Sequence, residues 1–290
     1  MPNSIALFKQ YVTLLDEVYK AAALTSALDG DSKLARQGAN ANELVIPKIS
    51  MDGLADYSRN GGYVSGDVTL TNETVTCNFD RGRMFTVDNL DNAETAGIAY
   101  GRLASEFIRT KVVPELDAFR ISKYASASGI STTTAADLST GAAVVAALRT
   151  AVNTFDEDEV PTDQRYLYIT PTLYGLIKDL DTTKSKQVLE GLTVVPTPQS
   201  RMYTAITQKD GTTSGQKAGG YAKASGAKNI NFLLVHKPAV IQFQKHIAPK
   251  VVTPEQNQDA DAWKFGYRNV GIADVYDNKV AGIYLHKATT

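Results

Sequence analysis

Cysteine is all but absent. Cys77 stands alone among 290 residues, which excludes a disulfide within the chain and suits assembly inside a cell. Histidine is scarce too: His236, His246 and His286 complete the set, and no H-x-x-x-H or C-x-x-C spacing makes a metal site of them. Net charge is nearly missing, with 30 Lys and Arg against 31 Asp and Glu. That balance lacks the basic excess of a nucleic-acid binder, and no acidic run marks a disordered tail. The longest apolar runs fall far short of the ~20 residues that span a bilayer. The opening MPNSIALFKQYVTLLDEVYK mixes polar and acidic residues into its apolar pattern. It lacks the basic end and apolar centre of a signal peptide.

Catalytic motifs are missing as well. No G-x-S-x-G elbow occurs. The DEDE run at residues 156–159 follows a predicted helix and precedes Val160-Pro161, which favours a solvated loop over a cation site. Cys77 sits among threonines and asparagines with no histidine close in sequence, a setting for strand packing rather than nucleophilic attack. The expectation is of no catalytic residue, no cofactor and no metal ligand. A soluble α/β enzyme with its site assembled from distant residues stays open as a third reading.

What is present is a chain 43% hydrophobic and 21% charged, enough for a sizeable core in one large domain or two modest ones. Between residues 55 and 70 it reads ADYSRNGGYVSGDVTL. A dinucleotide or phosphate loop would need G-x-G-x-x-G or Gly-Lys-Ser/Thr opening a helix. Here Gly61 and Gly62 are adjacent, Gly66 follows, and DVTLTNETVTCNF alternates like a strand. ELVIPKIS before it is strand-like too, and Asn60-Gly61 is a turn signal. A hairpin follows, with arms from about Leu44 to Tyr57 and from about Tyr63 to Val87. Unbroken, the longer arm would reach ~60–80 Å, against a body diameter of ~50 Å for this length. Such a ribbon is marginal alone and has to lie on a neighbouring subunit or in a sheet of its own body.

Residues 4–24 form an amphipathic helix candidate, with Leu7, Tyr11, Leu14, Leu15 and Val18 on one face. Residues 29–43 are polar and break-rich. Residues 93–127 carry the longest helical pattern, with Tyr100, Leu103 and Phe107 and then Val113, Leu116, Phe119 and Tyr124 along its apolar side. Asp91 and Glu94 suit its positive end. Pro114 lies inside and predicts a bend or break just before it. An alternating block follows: a helix from Ala142, RYLYIT, a helix from Pro171 capped by Thr170, and LTVVP. A flexible glycine- and lysine-rich loop spans 209–229. INFLLVH, VIQFQKHI, FGYRNVGIADVY and KVAGIYLHK end the chain as strands. At the hairpin base, FDRGRMFTVD alternates in sign, and Asp80, Arg81, Arg83 and Asp88 suggest an ion-pair network, within or across subunits.

Four stretches in this order resemble the major capsid protein of tailed bacteriophages, of the Hong Kong 97-type fold. They are VIPKISMDGLADYSRNGGYVSGDVTL with CNFDRGRMFTVDNLDNAET, FIRTKVVPELDAFRISKYA, VPTDQRYLYITPTLYGLI, and INFLLVHKPAVIQFQKH with GYRNVGIADVYDNKVAGIYLH. The resemblance implies an α+β chain divided into an N-terminal arm (1–43), an extended hairpin loop (44–88), a peripheral domain with a spine helix (89–136 and 230–272) and an α/β axial domain (137–229 and 273–290). It implies pentamers and hexamers closing an icosahedral shell around double-stranded DNA, with no sequence-specific binding and no membrane. Scaffolding, portal and cement proteins are the partners it admits. The place would be the virion capsid, assembled in the host cytoplasm. An encapsulin-like compartment with an enzyme cargo is the alternative within the same fold. Asn60, Gly61, Gly62 and Gly66 would then turn a lattice-building arm, with Asp80, Arg81, Arg83, Asp88 and Pro114 as further assembly positions. Some shells of this type join a loop lysine to an asparagine of another subunit. From Met51 to Arg109 this chain has no lysine, and arginine stays protonated and does not attack amides. A non-covalent shell is expected.

Overall fold

The computed structural model describes residues 23–30, 36–37, 43–90, 103, 105–180 and 182–290. The expected helix at 4–24 lies outside them except for its last two residues, as do Asp91 and Glu94. A single 3-10 turn, Ser26–Leu28, follows.

Strand β1 (Arg36–Gln37), β2 (Glu43–Met51) and β3 (Val68–Thr76) form an antiparallel three-stranded sheet. The β2–β3 ladder runs from Glu43 opposite Thr76 to Met51 opposite Val68, about 30 Å at the usual rise per residue. The hairpin is therefore real but shorter than expected. Its second arm, predicted to continue to Val87, divides at Cys77 and Asn78. The next strand, β4 (Phe79–Asp88), leaves the hairpin for another sheet. The divide has a local anchor: the Asn78 amide donates to Ala273 O (2.8 Å) and its carbonyl accepts from Ala273 N–H (3.1 Å). Cys77 packs there against a small cluster of Val75, Ile241 and Ile272.

The long helix is described from Ser105. It passes through a π turn at Ile108–Val112 and continues as α1 (Val113–Ala125). The interruption expected before Pro114 is thus a change of register and not a break. Val113 N–H donates to Ile108 O, five residues back. Pro114 has no N–H to give, so a wider turn costs least just before it. Val113, Leu116, Phe119 and Tyr124 are all buried, the stripe the sequence predicts.

Strand β5 (Ser131–Thr132) leads to α2 (Gly141–Glu157), whose N-terminus is capped by Thr140 accepting from Ala143 N–H. Strand β6 (Arg165–Ile169), α3 (Pro171–Leu180), α4 (Thr183–Gln187) and β7 (Leu192–Pro196) follow. Gly141 lets α2 approach α3, since a Cβ there would sit 2.3 Å from Leu176 O. Two short strands, β8 (Ile206–Gln208) and β9 (Tyr221–Lys223), pair beneath a glycine-rich loop. The chain ends with β10 (Ile230–His236), β11 (Val240–Val252), β12 (Ala262–Val275) and β13 (Ile283–Lys287).

Two larger sheets result. One has the order β5-β13-β10-β6-β7, the other β11-β12-β4. Strand β10, expected with the peripheral unit of residues 230–272, sits instead at the centre of the five-stranded sheet, between β13 and β6. Its seven residues are all buried, the mark of a strand covered on both faces. One core surrounds α1 and reaches both sheets. The other lies between the five-stranded sheet and the helices α2 and α3.

Candidate functional site

The hairpin tip is a closed turn. Ser58 and Gly62 exchange backbone bonds (2.8 and 3.2 Å), and Ser58 Oγ accepts from Gly61 N–H at 3.1 Å. Gly62 has φ +76°, open to glycine without strain. Asn60 and Gly61 lie inside the turn. Gly66 lies lower, where Asp67 N–H donates to Asp52 Oδ2 at 2.9 Å and ties the two arms together. The Tyr57 and Tyr63 rings meet at 4.9 Å between centroids. No helix opens after the glycines, and the strand reading of this stretch holds.

Large exposed hydrophobic side chains are concentrated here. Met51, Leu54, Tyr57, Tyr63, Val64, Val68, Leu70, Met84 and Leu90 are the exposed ones among the described residues, and all fall between positions 51 and 90. Leu54 is fully solvent-facing and Tyr63 is 90% exposed. Exposed apolar side chains gathered on one stretch of a folded chain favour an interaction site. The only covalent anchors of the hairpin are its two ends, and Val75 fixes the lower one to the body.

The charges at the hairpin base do not pair with one another as the sequence suggests. On a strand, alternate residues face opposite sides. Arg81 and Arg83 point toward α1 and the 209–220 loop. Arg81 Nε donates to Glu115 Oε1 at 2.8 Å, and its terminal nitrogen to Lys209 O at 2.7 Å. Arg83 donates to Lys217 O at 3.0 Å. Asp80, on the other face, accepts a two-pronged contact from Arg268 (2.8 and 2.6 Å). Asp88 accepts from Leu90 N–H at 2.9 Å. An Arg83–Asp88 pair within the chain is ruled out by this geometry, because five positions along a strand put them on opposite faces.

The glycine-rich loop is held rather than loose. Besides the two guanidinium groups, Asp210 closes its first turn by accepting from Thr212 N–H and Thr213 N–H (2.9 Å each) and from the Thr213 hydroxyl. These bonds, the hydroxyl's first, lower the Asp210 carboxyl to about 2. Between this loop, β4 and the π turn lies a groove of about 1080 Å³. Pro114 is on its wall.

A second polar cluster was not foreseen. Asp117 is fully buried on α1 and accepts from Leu24 N–H (3.1 Å), Thr25 N–H (3.2 Å), Thr25 Oγ1 (2.6 Å) and Arg201 (2.9 Å). Arg120, also buried, donates to Thr25 Oγ1 and Asp29, and Tyr124 donates to Gln242 Oε1 at 2.6 Å. Asp117, Arg120 and Tyr124 are spaced three and four apart, so they share one helix face. That spacing of a carboxylate, a guanidinium and a phenol inside an apolar stripe was the signal in the sequence. Asp156 of the acidic run pairs with Arg165 at 2.8 Å. Among the described residues no group of three ligating side chains is placed to hold a metal, and no helix is long and apolar enough to cross a membrane.

In its mixed helix-and-sheet fold the chain is similar to solved capsid structures of tailed phages, of the Hong Kong 97 type. A structure from Mycobacterium phage Che8 superposes with a TM-score of 0.61 at 13% identity, covering 91% of this chain and 90% of that one. The capsid structure of cyanophage P-SCSP1u gives 0.56 at 14% identity, with 88% and 86% covered. The virus-like particle from Pyrococcus furiosus gives 0.53 at 12% identity, with 93% and 98% covered. No family model matches the sequence, and no curated protein does.

Proposed function

We propose that the chain is the major capsid protein of a tailed phage, a structural and non-enzymatic subunit that assembles with copies of itself into a closed shell around double-stranded DNA. The observation that carries this reading is the likeness in fold to phage capsid structures along nearly the whole length of both chains. The projecting hairpin supports it. A ribbon with this much exposed apolar surface is stabilised when a neighbouring subunit covers it.

In this reading the β2–β3 hairpin is the extended loop and residues 1–43 the arm. The β11-β12-β4 sheet and the long helix form the peripheral unit. The five-stranded sheet, with β10 included, forms the axial unit at the centre of pentamers and hexamers. Asn60, Gly61, Gly62 and Gly66 shape the tip of the loop. Arg81 and Arg83 brace the peripheral unit against the axial loop, and Pro114 sets the register change of the spine. Asp80, held by Arg268, and Asp88 lie on the opposite face of β4 from Arg81 and Arg83. The near-zero net charge suits a container that holds DNA without binding its phosphates tightly. The site is a virion, assembled in the host cytoplasm, and scaffolding, portal and cement proteins are the expected company.

The likeness to the Pyrococcus virus-like particle favours one second reading, a shell around a protein cargo. Electron microscopy of the purified chain tests both. Closed shells are expected; a small discrete oligomer would contradict either. Nuclease-protected DNA in particles from the native source supports the phage reading, and a protein cargo supports the other.

A further inference from the structure

Asn60 and Gly61 form the single Asn-Gly pair of the chain, and both are exposed at the hairpin tip. Asparagine is among the thermally labile residues. Among the described residues the Asn60 side chain makes no hydrogen bond. An asparagine Cγ lies within reach of the backbone nitrogen that follows it, and a Cβ on the following residue crowds that approach. Gly61 has no Cβ. Chain neighbours aside, Ser58 alone comes within 4 Å of the place a Cβ would take, its Oγ at 3.4 Å. The Gly61 N–H is held by one bond, to the Ser58 hydroxyl at 3.1 Å. Ser58 is itself exposed, so water competes for that proton. The positive φ of the turn falls on Gly62 and not on Gly61. The turn therefore needs glycine at 62 and merely admits it at 61.

We propose that Asn60 is a site of spontaneous covalent modification, losing its side-chain amide to attack by the Gly61 nitrogen. That nitrogen gives its proton to solvent base and bonds to Asn60 Cγ. The Cγ–Nδ2 bond breaks, and Nδ2 takes up a proton and leaves as ammonia. A cyclic imide remains, and water opens it. Opening at Cγ leaves aspartate. Opening at the Asn60 backbone carbonyl leaves isoaspartate, with the chain rerouted through the side-chain carbons. One water enters, one ammonia departs, and nothing is oxidised or reduced. Either product adds a carboxylate to a tip that already carries Asp52, Asp56 and Asp67 against Arg59. Isoaspartate also lengthens the backbone inside the turn that Ser58 and Gly62 close. The three Asp-Gly pairs are poorer sites, because an ionised carboxylate resists attack. Asp29 is held by Arg120 and Gln242, and Asp52 accepts from Asp67 N–H. Asp210 is engaged by Thr212 and Thr213. The inference does not depend on the shell reading. Within that reading, the change belongs to subunits whose tips are still uncovered.

Mass spectrometry of the aged chain tests it. The purified subunit, dilute enough to stay unassembled, is kept warm at mildly alkaline pH, sampled over weeks and cut with chymotrypsin. Cleavage after Tyr57 and Tyr63 frees residues 58–63, in which Asn60 is the only asparagine. The expected result is a gain of about 1 Da in that peptide, the exchange of NH2 for OH. The heavier peptide should separate into aspartate and isoaspartate forms. Asn78, whose amide and carbonyl are both engaged by Ala273, should keep its mass. Gly61→Ala fits the turn, since its Cβ would meet Ser58 at ordinary contact distance. It should slow the change about tenfold by crowding the attacking nitrogen. An unchanged peptide from the folded chain, while the chain unfolded in urea converts, would show that the turn shields Asn60 and would overturn the proposal. Equal rates for Gly61→Ala and the unmodified chain, or aspartate with no isoaspartate, would mean direct hydrolysis without the ring and would overturn it too.

Discussion

Arg81 on β4 reaches Glu115 on α1, its Nε 2.8 Å from Oε1, and the same guanidinium grips Lys209 O in the glycine-rich loop. One side chain thus joins a strand, the long helix and a loop more than a hundred residues away. The pair is largely shielded, with the two side chains 27% and 12% exposed. Arg81→Ala leaves Glu115 without its ion partner and frees the loop carbonyl. The expected loss is about 2 kcal/mol of stability, with faster amide exchange across 209–220. Unchanged exchange there would show that the loop is held by Asp210 and Arg83 alone.

The Asp117 cluster makes a stronger prediction. A fully buried carboxylate with four donors anchors residues 24 and 25 to the helix. Asp117→Ala leaves Arg201 and two backbone N–H groups unpaired, and breaking a buried pair costs about 3–5 kcal/mol. Limited proteolysis should cut near residues 23–30 in the variant before it cuts elsewhere. Wild-type resistance in that segment would mean that Arg120 and Gln242 suffice to hold it.

Much of this arrangement was legible in the sequence, and what was hidden shares one cause. The alternation in VTLTNETVT and FDRGRMFTVD marks strands, and Asn60-Gly61 marks the turn, because both signals are local. Where a strand pairs is not local. Nothing in the residues around Cys77 says that the next strand leaves the hairpin to join β12. The same limit hid the place of β10: INFLLVH reads as a buried strand, but its two neighbours come from residues 165–169 and 283–287. Pro114 announced an interruption, since its missing N–H is a local fact. Arg81 and Arg83 were picked for their charge, yet their partners are Glu115 and loop carbonyls that no spacing reveals. Asp117 and Arg120 are visible as charges within the helical pattern, but nothing local names Thr25, Asp29 and Arg201 as their partners.

Acid should weaken the fold through two histidines. His286 stacks on Phe232 at 5.0 Å and meets the Asn231 amide through Nδ1 at 3.1 Å. Burial lowers its pKa below 6.5. His236 is lowered by burial first and then by Arg165 and Lys279. Both groups bind protons more weakly folded than unfolded. Their contribution is therefore complete above the unfolded value of about 6.5 and is lost as pH falls toward the folded values. The melting temperature should drop between about pH 7 and pH 5, and less steeply in His286→Gln. Equal slopes for the two proteins would remove His286 from the account.

A shell of this chain should hold together without covalent links between subunits. No lysine lies between Met51 and Arg109, Lys48 sits on β2 opposite Thr71 and away from the tip, and Cys77 is half-buried against Val75, Ile241 and Ile272. Particles boiled in denaturing detergent with reductant should run as one band at the chain mass of 31.3 kDa. A ladder of multimers surviving reductant would contradict this.

The central claim is that copies of this chain close into a shell through their hairpins. Deleting residues 56–67 removes the tip and leaves both sheets, the helix and the Asp117 cluster in place. Sedimentation and electron microscopy of the intact and shortened chains, prepared side by side, test the claim most directly. The account predicts closed shells from the intact chain and a folded, soluble, unassembled subunit from the shortened one. Normal shells from the chain without its tip would contradict it.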